Sequence, residues 1–406
     1  MWSNSEKRRS VALVLGLMLV ILAEVLRVYL IMPFPGSQRM HSIGVAYFLG
    51  RFIWPIRVLA LAAILPGAWH VLVRGSVWRR VGLVAALAIY GGIFYFTNFV
   101  AMADRMFLPP RHVVFAGAQA NSVDLERVVV GIARGEEARA YPIEFIGYHH
   151  QVEDEIAGAP LLVTYCTVCR TGRIFSPVVE GRRERFRLVG MDHFNAMFED
   201  GTTRSWWRQV SGEAVAGPRK GMRLAEIPSE QMTLREWLSR HPRSGILQPD
   251  PDFQGEYRSL RGYDDGTRGG SLTGRRNEPW QEKSWVAGVV AGDHARAYDW
   301  NDLVRLGAIN DRLGTTTVAV WVSPDGRSLA ARSRTVNGRE LTLMRDTVTR
   351  TLTDAETRST WNDDGLCTGG PLQGTRLDFV QSYQEFWHSW RTFHPGTDAW
   401  KEAKRD

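Results

Sequence analysis

Three apolar runs open the chain: VALVLGLMLVILAEVLRVYLIM (11–32), FIWPIRVLALAAILPGAWHVLV (52–73) and VGLVAALAIYGGIFYFTNFVAM (81–102). Each is long enough, as a helix, to cross a hydrocarbon core of about 30 Å. Beyond Pro109 and Pro110 the pattern changes to short apolar segments punctuated by turn residues. RVVVGIA and EARAYP flank a glycine-containing turn and predict a hairpin, LLVTYC and RIFSPVV predict strands, and TLREWLSRHP predicts a short helix stopped by proline. The expected fold class is strand-rich α+β preceded by three transmembrane helices. Charges inside the apolar runs need partners, and Glu24 with Arg57 is the expected ion pair.

The polar region matches itself. VGIARGEEARAYPIEF from Val130 aligns with AGVVAGDHARAYDWND from Ala287, DGTTRSWW (200–207) with DAETRSTW (354–361), and GPRKGMRL (217–224) with GPLQGTRL (370–377). Trp237, His241 and Pro242 fall on Trp390, His394 and Pro395. Anchors in one order, at an offset of about 153 to 157 residues, indicate a tandem duplication. The expected organisation is a membrane anchor over 1–104, a linker over 105–122, a first α+β repeat over 123–250, an inter-repeat loop over 251–279 and a second, degenerate repeat over 280–400. Residues kept in both copies, His241 and His394 among them, are expected to serve the shared scaffold.

Charge then locates the chain. Of 50 Lys and Arg against 43 Asp and Glu, the basic surplus lies in the N-terminal third, so no basic patch on the polar domain calls for nucleic acid. Lys7, Arg8 and Arg9 precede the first span and Arg74, Arg79 and Arg80 join the second to the third, whereas the loop 34–50 carries only Arg39. The positive-inside rule places the N-terminus in the cytoplasm and the polar domain outside, as an extracytoplasmic, periplasmic domain on the bacterial inner membrane.

Only three cysteines occur, and two of them, Cys166 and Cys169, stand three apart between predicted strands. Three readings compete. A structural disulfide suits an oxidising compartment, but so short a loop removes little unfolded-state entropy. A redox couple suits the spacing, with Arg170 and Arg173 placed to favour a thiolate. A metal site would need further ligands, which His149, His150, His193 and Met197 offer; thiolate, imidazole and thioether together suit copper or zinc. Cys166 and Cys169 lack counterparts in the second copy, where Val322 and Asp325 fall near them, and His193 and Met197 fall near Thr347 and Thr351. No Gly-x-x-x-x-Gly-Lys, Gly-x-Ser-x-Gly or His-Glu-x-x-His motif points to another enzyme class.

VGIARGEEARAYPIEF, PLLVTYCTVCRTGRIFSP and SWWRQVSGEAVAGPRKGMRL resemble successive blocks of the bacterial domain-of-unknown-function family numbered 3179. That pattern has an Ala-Tyr-Pro run, a Tyr-Cys-x-x-Cys block and a Trp-x-Gln-x-x-Gly-x-Ala-x-x-Gly block. The resemblance covers about 120 to 400, with the spans as an addition. Some members carry selenocysteine in the cysteine block, which implies a redox-reactive position at Cys166 and Cys169, with one of His149 and His150 and the Trp207–Gln209 block carried over beside it. Arg170 stands where the family often has Gly or Ser. The leading expectation is a membrane-anchored thiol–disulfide protein; as an enzyme it would be a thiol-dependent oxidoreductase. The alternatives are a copper or zinc carrier, handing metal to a protein partner, and a non-catalytic binding module of a membrane complex.

Overall fold

The computed structural model of the chain describes residues 4–346 and 348–402. It is a strand-rich α+β structure with three N-terminal apolar helices, and it divides into two compact units.

The first unit comprises Met1–Leu108, Arg185–Arg208 and Glu213–Met222. Its helices are α1 (Asn4–Tyr29), α2 (Ile43–Arg74) and α3 (Val77–Tyr95), the last continued by a π turn over Phe96–Val100. All three are long and apolar enough to cross a membrane. Gly67 lets α2 approach α1, since a Cβ there would lie 2.6 Å from the Arg9 carbonyl oxygen. The expected pair forms in the buried seam, with Arg57 Nε 2.7 Å from Glu24 Oε1. The π turn adds two partners that hydropathy does not reveal. Asn98 Oδ1 accepts from Arg57 and Arg27 at 2.8 and 2.7 Å, while Thr97 and Asn98 donate to Glu24 Oε2. A charged cluster inside apolar helices is thus paired and hydrogen-bonded around one carboxylate, the condition under which apolar surroundings tolerate it.

Four short strands complete this unit in the order Ala214–Ala216, Trp206–Arg208, Asn195–Asp200, Phe186–Asp192. They attach to the loop after α1: Met191 N donates to Ile31 O at 2.7 Å, and Phe194 N donates to Gln38 Oε1 at 3.1 Å.

The second unit comprises Pro109–Glu184, Gln209–Gly212 and Arg223–Asp406. The strands Val128–Arg134 and Glu137–Pro142 form the predicted hairpin, extended by Glu230–Thr233 antiparallel on one side and Gly245–Leu247 parallel on the other. Gln151–Ile156, Ala159–Cys166 and Thr171–Phe175 form a second sheet. The same order occurs later in the chain. Trp285–Ala291 pairs with His294–Asp299, with Ser382–Phe386 antiparallel and Asp398–Ala399 parallel beside them, and Ile309–Leu313, Thr316–Val322 and Leu329–Ser333 form a separate sheet. The segment 105–122 is not free chain, because Phe115–Ala116 pairs with Gly245–Leu247. The polar composition of 251–279 also conceals structure: Tyr257 and Tyr263 are buried, and Asp264 binds Arg127 and the Val128 amide.

Residues aligned by the internal match make matching contacts. Tyr141 donates to Asp154 and Tyr298 to Asp311; Trp207 donates to Asp200 and Trp361 to Asp354. His241 and His394 lie on Trp237 and Trp390, with ring centroids 4.2 and 3.9 Å apart. Each of these indoles covers a glycine: a Cβ at Gly131 would come within 2.4 Å of Trp237, and one at Gly288 within 2.1 Å of Trp390. Gly288→Ala should therefore cost about 1–3 kcal/mol through overpacking. Gly135→Ala, at φ 60° with open space around it, should cost only the left-handed penalty of about 1–2 kcal/mol, and no packing loss. Chemical denaturation of the detergent-solubilised chain with each substitution checks this; equal packing contributions at the two positions would contradict it.

Candidate functional site

The two cysteines occupy the turn joining Ala159–Cys166 to Thr171–Phe175, and the hairpin is fixed at its base. Gln209 Nε2 donates to Thr164 Oγ1 at 3.0 Å and to the Thr171 carbonyl at 3.1 Å, and its Oε1 accepts from Thr171 Oγ1 at 2.5 Å. One amide therefore ties both strands two residues outside the cysteines. Gly172 is needed for close approach, because a Cβ there would lie 2.3 Å from Gln231 Nε2.

Two arginines carry the turn into the second half of the unit. Arg173, fully buried, pairs with Glu385, has Glu226 3.6 Å away and lies 3.7 Å over the Tyr383 ring. Ser389 donates to the other Glu385 oxygen at 3.0 Å. Burial raises the Glu385 carboxyl above its ordinary range, and Arg173 opposes that shift. Arg170, at φ 60°, lies 3.5 Å over the Trp285 ring and donates to Gln384 Oε1 at 2.9 Å. The main chain joins as well, with Phe386 N donating to Cys169 O at 2.9 Å. The contact is reciprocated on the other side. Thr233 Oγ1 donates to Asp325 Oδ2 at 2.9 Å, and Thr233 N to Ser328 Oγ at 3.0 Å, so each half receives a loop of the other.

Cys166 and Cys169 are both fully buried and are not joined by a disulfide. Burial pushes the Cys169 thiol well up, and its hydrogen bond with Cys166 adds to the shift; Ser389 and Lys283 act in the opposite direction. Lys283 Nζ donates to Val168 O at 2.6 Å and lies 3.0 Å from His388 Nε2. Burial brings the amine down to about 8, against the raising influence of the two cysteines. Burial and the neighbouring Lys283 charge bring His388 down to about 3, so its imidazole is neutral at ordinary pH, and its Nε2 lies 3.0 Å from Val168 O, the carbonyl that Lys283 also meets.

The expected site residues divide. The His150 carbonyl accepts from Tyr165 N at 3.0 Å, which places its backbone beside the residue preceding Cys166. Its ring Nδ1 lies 2.9 Å from Tyr148 O, and burial lowers it to about 4. His149 Nε2 lies 2.6 Å from the Tyr257 hydroxyl, within an aromatic group that includes Phe253 and Tyr148. His193 and Met197 belong to the first unit. There His193 Nδ1 pairs with Asp192 at 2.7 Å and its ring packs on His41, and Met197 is buried in the sheet. Cys367 lies in a core cluster with Leu352, Trp361 and Leu377. Lys283, Glu385, His388 and Ser389 are the functional candidates that sequence reasoning missed. They fall in the segment 280–400, where no motif marks them.

Residues 110–397 match the family model described as Protein of unknown function (DUF3179). The chain belongs to that family. No curated protein and no solved structure matches it. In this DUF3179 chain the two family blocks meet physically, because Gln209 of the tryptophan-glutamine block holds the strands of the cysteine block.

Two predictions follow from the buried charges. Arg173→Met or Glu385→Leu alone should destabilise by about 3–5 kcal/mol, because each strands a buried charge, whereas the double substitution should recover most of the loss. Additive losses in denaturation of the four proteins would contradict the pairing. His150 and His388 titrate near 6.5 when unfolded but only near 4 and 3 when folded. The unfolded chain therefore binds more protons between those values, and stability complete above pH 6.5 is lost as pH falls toward 4. Each imidazole contributes up to about 1.4 kcal/mol per pH unit. His150→Asn should flatten the stability–pH slope between pH 6.5 and 4.5, and an unchanged slope would refute its burial as a neutral ring.

Proposed function

We propose that the chain is a membrane-anchored extracytoplasmic thiol–disulfide protein whose redox couple is Cys166 and Cys169. The observation that carries this reading is a hydrogen-bonded, unjoined cysteine pair in a clamped turn, electrostatically coupled to an amine lowered to about 8. In the proposed cycle one cysteine thiolate attacks a disulfide of a partner protein and forms a mixed disulfide, releasing one partner thiolate. The second cysteine, its proton passing to the released partner thiolate and its charge favoured by the Lys283 ammonium, displaces the other partner sulfur. The products are the Cys166–Cys169 disulfide and a partner dithiol, with two electrons passed to the partner. Both sulfurs are covered, so exchange requires local opening of the turn.

The compartment is part of the proposal. The Ile31–Met191 bond puts the loop after α1 on the side of the attached sheet, and the basic residues at Lys7–Arg9 and Arg74–Arg80 favour the opposite, cytoplasmic side. The tandem-copy reading likewise rests on the matching contacts of Tyr141 with Tyr298 and Trp207 with Trp361. Among the described residues the one group of three candidate metal ligands is His112, Asp250 and Asp252, which contains neither cysteine. That geometry favours the redox reading over the copper or zinc carrier.

The test equilibrates the full-length, detergent-solubilised protein in glutathione buffers of graded potential, followed by thiol alkylation and mass measurement. The expected result is a reversible two-hydrogen loss confined to Cys166 and Cys169, retained in Cys367→Ser and abolished by Cys166→Ser or Cys169→Ser. A disulfide inert across the series, or thiols held by stoichiometric copper or zinc, would overturn the proposal.

A further inference from the structure

Arg170 and Arg275 share one aromatic surface. Their guanidinium carbons lie 3.5 and 4.2 Å from the Trp285 ring centroid. Arg170 is 1% exposed, and its contacts are neutral ones: Gln384 Oε1 at 2.9 Å and the Asp264 carbonyl at 3.4 Å, both through Nη2. Its Nε and Nη1 are buried with no acceptor, and the same holds for Arg275 Nε. Arg275 Nη2 donates to the neutral Asn301 side chain at 2.8 Å.

The nearby carboxylates make no direct bond to either guanidinium. Asp264 gives its oxygens to Arg127 and the Val128 amide, Glu385 pairs with Arg173, and Asp299 Oδ1 caps the helix Trp300–Leu306 while its buried Oδ2 acts on Arg275 through its charge alone. Two guanidinium groups therefore stand together, one fully buried, with no ion pair to either among the described residues. The lowered value of Arg275, caused first by burial and then by the Arg170 charge against the opposing charge of Asp299, is consistent with that crowding. A buried charge without a counter-charge and with idle donors is strongly disfavoured. Arg170 also holds a left-handed backbone that an arginine adopts only at a cost of about 1–2 kcal/mol.

We propose that Arg170 and Arg275, sharing the Trp285 ring, bind a small oxyanion that supplies a bonded counter-charge and the missing hydrogen-bond acceptors. The site lies next to the cysteine turn, Arg170 being the residue after Cys169, but it stands independently of the redox reading. Guanidinium donors in a desolvated setting suit sulfate- or phosphate-like ligands.

The test follows thermal unfolding of the full-length protein in detergent at fixed ionic strength, with sulfate or phosphate replacing chloride. Sulfate stabilises proteins generally, so the decisive comparison is with Arg170→Met and Arg275→Met. A saturable rise in midpoint is expected for the native chain and its loss is expected in both variants. If Arg170→Met fails to fold, Arg275→Met, at a half-buried position, still decides. An equal sulfate response in the variants, an equal saturable response to chloride, or crystals grown in sulfate that show only water at these nitrogens would overturn the assignment. The glutathione titration of Cys166 and Cys169 is a separate readout, so failure of one proposal leaves the other standing.

Discussion

The arrangement around the cysteines depends on the buried ion pair between Arg173 and Glu385. Neither group can sit alone in that interior, because an unpaired buried charge costs several kcal/mol. Their pairing therefore fixes where the hairpin Ala159–Phe175 meets the strand Ser382–Phe386. Once that register is set, Phe386 N reaches Cys169 O, Ser389 reaches Glu385, and Lys283 and His388 close on Val168 O. The position of the thiols is thus set by a charge pair lying outside the turn that carries them.

The environment created there has two opposing effects on the sulfurs. Burial disfavours the thiolate, and proximity of one thiol to the other adds to this, whereas Lys283 and Ser389 act the other way. The balance keeps Cys169 protonated at rest, as suits a covered, unreactive resting state. Gln209 braces the same turn, since its one side-chain amide joins Thr164 and Thr171 across the two strands in the interior. In the proposed redox cycle, a braced base and unfavourable ionisation at the tip would confine reaction to moments when the turn opens.

The reciprocal loop exchange sets two different groups of side chains at matching places. The loop containing Asp325 and Ser328 meets Thr233 through one hydroxyl–carboxylate and one amide–hydroxyl hydrogen bond. On the other side the loop containing Cys166 and Cys169 meets a lysine, a histidine and a serine. The scaffold contacts, such as each tryptophan over its glycine, are equivalent on both sides. The differences lie in a few side chains at the loop tips.

The chain alone determined its local elements and its membrane-like helices. Spans of uninterrupted apolar residues and alternation bounded by glycine and proline act over a few neighbours, and the hairpin Val128–Pro142, the helix Leu234–Arg240 and the pair Glu24–Arg57 follow from them. The cysteine spacing likewise marked the turn. Which groups surround those cysteines was decided only by tertiary structure. Lys283 lies more than a hundred residues from Cys169 and His388 more than two hundred, and no local pattern encodes such a contact. Composition misled for the same reason at 251–279, where Tyr257, Tyr263 and Asp264 lie in a stretch rich in Gly, Arg and Asp yet anchor it to strands far back in the sequence. The surroundings of Cys169 form only when segments far apart in the chain pack together, and long-range burial then sets the charge of Lys283 and His388.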